Sequence, residues 1–200
     1  REDGRTPAHV AALTCNSEII ECLHQLGCGA QLVCQDSSGY TPAHLVFLSL
    51  SDADDLHLGI GHDLLTHKFG GVYAGHRHAD FLEALIKSGA ASSFELVDKD
   101  RMTPLAYAAY PTAYTGLSVY EKQHFSPGSD FFRVLKQHGL STLLEQSDTA
   151  RMSRTPAHWA AQFCNVAALQ TLADCGAAKS FGRIDRTGMT PAHLVARHDP

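Results

Sequence analysis

The sequence predicts an all-α solenoid of stacked helix-turn-helix units with hairpin-like finger loops, four full units and the start of a fifth. Three observations predict it. The phrase Thr-Pro-Ala-His occurs at Thr6-Pro7-Ala8-His9, Thr41-Pro42-Ala43-His44, Thr155-Pro156-Ala157-His158 and Thr190-Pro191-Ala192-His193, with a degraded fifth copy at Thr103-Pro104-Leu105-Ala106. The first two copies, like the last two, stand 35 residues apart, and a fixed period of this size marks a repeat array rather than one globular enzyme core. After each of the first four phrases along the chain, a second apolar helical pattern runs up to a glycine, and a turn then leads to the next phrase.

Each phrase starts a helix. A Thr hydroxyl can accept from an unpaired amide of the first turn, and Pro at the first helical position gives up a donor that would have no partner there. The residues that follow are small, as in Val10-Ala11-Ala12 and Trp159-Ala160-Ala161, so neighbouring helices can approach closely. Second helices are expected over Ile19–Leu26, Ala79–Ser88, Ser129–His138 and Val166–Cys175. Their apolar stripe is read as Ile19, Ile20 and Leu23; Phe81, Leu82 and Leu85; Phe131, Phe132 and Leu135; and Ala168, Leu169 and Leu172. Gly27, Gly89, Gly139 and Gly176 fit the left-handed position that ends a helix. Asp36-Ser37-Ser38-Gly39 and Asp185-Arg186-Thr187-Gly188 read as type I turns opened by Asp and closed by Gly, with positive φ expected at Gly39.

This combination of turn, paired helices and Thr-Pro-x-His resembles the ankyrin repeat family, and the resemblance runs over essentially the whole chain. It implies repeats at about 1–35, 36–97 (with an insertion at 49–78), 98–149 (insertion 111–128), 150–184 and a truncated 185–200. It also implies that His9, His44, His158 and His193 are scaffold, bonded to the capping Thr and to the neighbouring repeat. The chain departs from the family in several places. Ala8, Ala43, Ala157 and Ala192 stand where the family has Leu, and Ala106 replaces the structural His. Linkers of 14 residues from Gly27, Gly89 and Gly176 to the next Thr imply longer fingers, and the linker after Gly139 is longer still. The third repeat is expected to be the weak point of the stack. From Thr to the helix-ending Gly the first and fourth repeats take 21 residues, the second 48 and the third 36. Both insertions therefore fall between helix one and helix two of adjacent repeats, and long loops in a compact array are usually functional or disordered.

A net charge of −5 with 16 Lys and Arg argues against a nucleic-acid surface, which needs clustered positive charge. No apolar run approaches a membrane span, so no membrane insertion is expected. The missing Met, the start inside a turn and the end after a first helix lead us to expect a segment of a longer protein. Six cysteines include the equivalent pair Cys15-Asn16 and Cys164-Asn165, which lie repeats apart and do not suggest a disulfide. Unpaired cysteines fit a reducing, cytoplasmic setting, or host cytoplasm if the protein is secreted into another cell.

The second repeat's insertion gathers Asp52, Asp54, Asp55, His57, His62, His67, His76 and His78. The residue types suit a divalent metal, but five-residue steps match neither one helical face nor a zinc signature. The reading is a solvated loop, with no metal and no cofactor. A Cys15 nucleophile paired with His57 or His62 lacks an orienting third group and an oxyanion hole, so no catalytic residue is assigned.

Binding of a partner protein is the function the resemblance implies, through a concave surface of finger tips and first helices. The family's contact positions carry over to Arg5, Tyr40, Met102, Arg154 and Met189 before each Thr, and to Leu13, Leu48, Tyr110, Gln162 and Phe163 at the ends of the first helices. Tyr, Arg, Met and Phe among them are residue types that interfaces favour. Phe69, Tyr73, Tyr114, Tyr120 and Phe125 in the insertions suggest a second site. The expected function is an intracellular scaffold or adaptor. The alternative is the targeting module of a larger enzyme, such as a bacterial effector acting in a host cell.

Overall fold

The computed structural model describes residues 3–48, 74–109, 127–148 and 152–197. All regular structure among the described residues is helical. Helices α1 (Pro7–Leu13), α3 (Pro42–Leu48), α5 (Pro104–Ala109), α7 (Pro156–Gln162) and α10 (Pro191–Ala196) each begin at the Pro of a phrase. Thr6, Thr155 and Thr190 occupy the N-cap position in extended backbone, which is where a Thr hydroxyl can reach the first-turn amides. Helices α2 (Ser17–Gln25), α4 (Ala74–Lys87), α6 (Pro127–Gln137) and α8 (Val166–Asp174) follow them.

The helices pack in two rows. In one row α1 touches α3, α3 touches α5, α5 touches α7 and α7 touches α10; in the other α2 touches α4, α4 touches α6 and α6 touches α8. Small residues make the first row tight: Ala8, Ala11, Ala12, Ala43, Ala106, Ala109, Ala157, Ala160 and Ala161 are all buried. The larger apolar side chains fill the space between the rows. Phe81, Leu82, Leu85, Phe131, Phe132, Leu135, Ala168 and Leu172 have no exposed surface, and the Phe131 ring lies 5.2 Å from Phe47 and 5.0 Å from Phe94.

Three sequence expectations are corrected here. Helices α4 and α6 start at Ala74 and Pro127, not at Ala79 and Ser129, so the last residues assigned to both insertions are helical. Pro127 at the first helical position carried that signal. Ile19 is 38% exposed rather than buried with Ile20, because among the described residues no helix of the second row packs on that side of α2. Finally, the extra linker residues do not lengthen the finger tips. They wind into one-turn helices at Gly29–Leu32, Ala91–Phe94 and Ser141–Glu145 and into α9 (Ala178–Gly182), which bury Leu32, Phe94, Leu143 and Leu144 under the fingers.

Helix ends follow local rules. Gly27, Gly89, Gly139 and Gly176 all have φ between 73° and 85°. Cys15 and Cys164 take φ of 48° and 52° between the paired helices. Each is followed by an Asn whose side chain caps the next helix, Asn16 accepting from the Ile19 amide and Asn165 from the Ala168 amide. All six cysteines lie among the described residues and are free thiols. Among the described residues no helix is long and apolar enough to cross a membrane.

Candidate partner-binding surface

The surface is built on a repeated hydrogen-bond unit. In the first copy the Thr6 amide donates to His9 Nδ1 at 3.1 Å, and the Thr6 hydroxyl lies 2.8 Å from the same nitrogen. His9 Nε2 sits 2.9 Å from the Tyr40 carbonyl in the next finger. A carbonyl only accepts, so Nε2 carries the proton and Nδ1 is the acceptor. His44 repeats this with Thr41 and the Met102 carbonyl, at 3.0 and 3.1 Å. His158 repeats it with Thr155 and the Met189 carbonyl, at 3.2 and 3.1 Å. All three imidazoles are fully buried. Burial disfavours their charged form and lowers each pKa, to about 4 for His44, although the carbonyl bonds and the nearby aspartates pull the other way.

Each finger is organised by one buried aspartate. One oxygen of Asp36 accepts the Ser38 and Tyr40 amides at 2.8 and 3.0 Å, and Asp98, Asp148 and Asp185 serve their own fingers in the same way. The other oxygen reaches outside the finger. Arg5 Nε donates to Asp36 at 3.3 Å and Arg154 Nε to Asp185 at 3.0 Å, each from the preceding repeat. Asp98 instead accepts from the Tyr107 hydroxyl at 2.6 Å and Asp148 from Trp159 Nε1 at 3.1 Å. Burial works against the charge of Asp185, but donated bonds from Thr187, Met189 and Arg154 outweigh it and hold the carboxyl well below its usual range. Burial and the bond to Asp98 push the Tyr107 phenol far above its usual value.

Backbone bonds then stitch finger to finger. The Ser37 amide donates to the Asp3 carbonyl at 2.9 Å, Lys99 to Ser38 at 3.1 Å and Arg186 to Met152 at 2.8 Å. Gln35 Nε2 adds bonds to the Gly39 and Val97 carbonyls, both at 2.8 Å. The turns close as expected, with the Gly39 and Gly188 amides donating to Asp36 and Asp185 at 2.9 Å.

This geometry turns several expected contact residues inward. Arg154 is 8% exposed; besides Asp185 it binds Gln162, and its guanidinium lies 5.2 Å from the Trp159 ring centroid. The Arg5 side chain is 10% exposed and is held by Asp36. Met102 is 7% and Leu13 3% exposed, both within the core. The physical reason is common to the finger positions: the residue before each Thr faces the adjoining finger, not the open side. Tyr40, Met189, Gln162 and Phe163 are half-buried, and the Phe163 ring stacks on Trp159 at 9°. The side chain of Leu48 and the whole of Tyr110 lie outside the described residues. So do Phe69, Tyr73, Tyr114, Tyr120 and Phe125, together with Asp52, Asp54, Asp55, His57, His62 and His67. Among the described residues no group of three or more His, Cys, Asp or Glu could hold a metal ion.

The exposed tips are instead Ser37, Lys99, Asp100, Arg101, Arg186 and Thr187. The turn pattern carried this signal, since residues that follow the opening Asp of a turn project outward once the Asp is buried. A scan against protein-family models and a search of curated proteins each gave no match to this chain.

Proposed function

We propose that this chain is an ankyrin-type solenoid that holds a partner protein along its finger row and the adjoining ends of the first helices. One observation carries the reading: among the described residues, backbone bonds and buried His bridges tie the first three fingers to one another and the fourth to the fifth. A surface that is already ordered loses little entropy on binding, and such preorganisation is what a scaffold requires. The tips carry mixed charge, with Lys99 and Arg101 beside Asp100 on one finger and Arg186 on another, which suits a protein partner better than a polyanion. Half-buried Tyr40, Gln162 and Phe163 sit behind them as anchors of the type interfaces use.

The experiment captures partners from a cell lysate with the wild-type protein, identifies and purifies one, and measures its Kd against variants. Lys99→Glu with Arg186→Glu is expected to weaken binding at least about tenfold while the melting temperature moves little, and Phe163→Ala to weaken it as much with a lowered melting temperature, measured at a temperature where the variant is folded. Unchanged affinity in both variants would reject the finger row as the binding surface.

A further inference from the structure

We infer that the array is divided by a seam between its third and fourth helix pairs, so that residues 152–197 open as one unit separately from the described residues that precede them. The inference concerns the fold alone and does not depend on partner binding.

The junctions differ in what their side chains can form. Between the first and second units, His9 reaches the Tyr40 carbonyl and Arg5 reaches Asp36. Between the second and third, His44 reaches the Met102 carbonyl and Gln35 the Val97 carbonyl. Between the fourth and fifth, His158 reaches the Met189 carbonyl and Arg154 reaches Asp185. At the third-to-fourth junction the corresponding positions are Ala106 and Met102. Neither side chain has a donor, so neither staple can form there. The aspartate that would receive the arginine, Asp148, takes Trp159 of its own unit instead.

Apolar packing of α5 on α7 and of α6 on α8 remains. To it are added contacts of α9 with the one-turn helix Ser141–Glu145, Asn165 Nδ2 donating to the Ala109 carbonyl at 3.2 Å, Lys136 Nζ donating to the Asp174 carbonyl at 2.6 Å and the Lys179–Glu145 ion pair at 3.8 Å, the two lysine contacts being made by exposed side chains. The fourth finger is also irregular: its Asp148 amide closes onto the Arg154 carbonyl, six residues on, where Asp36 closes onto Tyr40 four residues on. In a linear array, stability is a sum of unit and junction contributions, so the junction without staples is where cooperativity breaks first.

The missing partner is a single side chain. Thr103 caps α5 as Thr41 and Thr190 cap their helices, its hydroxyl accepting the Ala106 amide at 3.3 Å. The Arg154 carbonyl accepts from Asp148 at 2.8 Å just as the Tyr40 carbonyl accepts from Asp36 at 2.9 Å while also receiving His9. Ala106→His therefore rebuilds the bridge with its cap and its acceptor already in place.

The test is hydrogen exchange read by mass spectrometry on the full chain at neutral pH. In the wild type, amides of α7 and α8 are expected to exchange together, at least about fivefold faster than those of α3 and α4. In A106H, exchange of α7 and α8 slows roughly fivefold, the equilibrium effect of one net hydrogen bond, with α3 and α4 changed less than about twofold. A wild-type profile in which α3, α4, α7 and α8 share one opening rate overturns the seam. So does an A106H profile slowed equally everywhere. If A106H fails to fold, the wild-type profile decides alone, and Trp159, the only tryptophan, gives a second reading. Its fluorescence in urea should change before the far-ultraviolet circular dichroism does, and coincident curves count against the seam.

Discussion

Lowering the pH should loosen this protein before its carboxylates are protonated, because three buried imidazoles are built to be neutral. At His44 the Nδ1 lone pair faces the Thr41 amide at 3.0 Å and Nε2 faces the Met102 carbonyl at 3.1 Å. A proton added at Nδ1 would point at an N–H donor, in a site with no exposed surface. Burial lowers the His44 pKa from 6.5 to about 4, against the pull of Asp98 and Asp36, with His9 adding to the lowering. The sign follows: the unfolded chain takes up the proton near pH 6.5 and the native chain only near 4, so stability present above pH 6.5 is lost as pH falls towards 4. The full shift corresponds to about 3 kcal/mol, of which about 2 kcal/mol is gone by pH 5. His9 and His158, also lowered by burial, act in the same direction. Urea melts between pH 7.5 and 5 measure the loss, and nitrogen-correlated NMR of the imidazoles shows whether these histidines keep the proton on Nε2. Stability flat over that range, or a proton on Nδ1, would refute the reasoning.

Three further outcomes are expected. Gly188→Ala pays only for positive φ, since no atom of the described residues lies within 4 Å of a Cβ there, whereas a Cβ at Gly39 would stand 2.9 Å from the Lys99 amide nitrogen. Thermal melts should show about 1 kcal/mol lost in the first case and about 2 kcal/mol more in the second; equal losses would mean that the fingers do not meet as described. Arg154→Met leaves the Asp185 carboxylate without its buried guanidinium, a loss of about 3 kcal/mol by urea denaturation. Dialysis against a chelator should leave the melting temperature unchanged, and metal analysis should find less than one zinc per chain, because a structural zinc would contribute many kcal/mol.

Much of the architecture was legible because its signals are local. A Thr-Pro pair fixes a helix start, a glycine fixes a helix end, and a stripe at helical spacing fixes a buried face; each depends on neighbours within a few residues. Period added the array itself: equal spacing of equal phrases marks stacked units. Helix lengths were less legible, since nothing but Gly75 interrupts the run leading into Ala79 and α4 extends back to Ala74.

Contacts between units were decided by the tertiary structure. Arg5 and Arg154 look like surface residues in sequence, and an arginine before a turn has no local reason to be buried. Their carboxylates stand 31 residues away, and only stacking brings Asp36 and Asp185 against them. Leu13 and Met102 are covered for the same reason, by elements that no short window contains. The sequence by itself determined the helix starts, their caps and most of the buried stripe, because backbone hydrogen bonding and side-chain periodicity are short-range. Which finger residues remain on the outside was decided by the stack, because a side chain's exposure depends on the neighbour that folds against it.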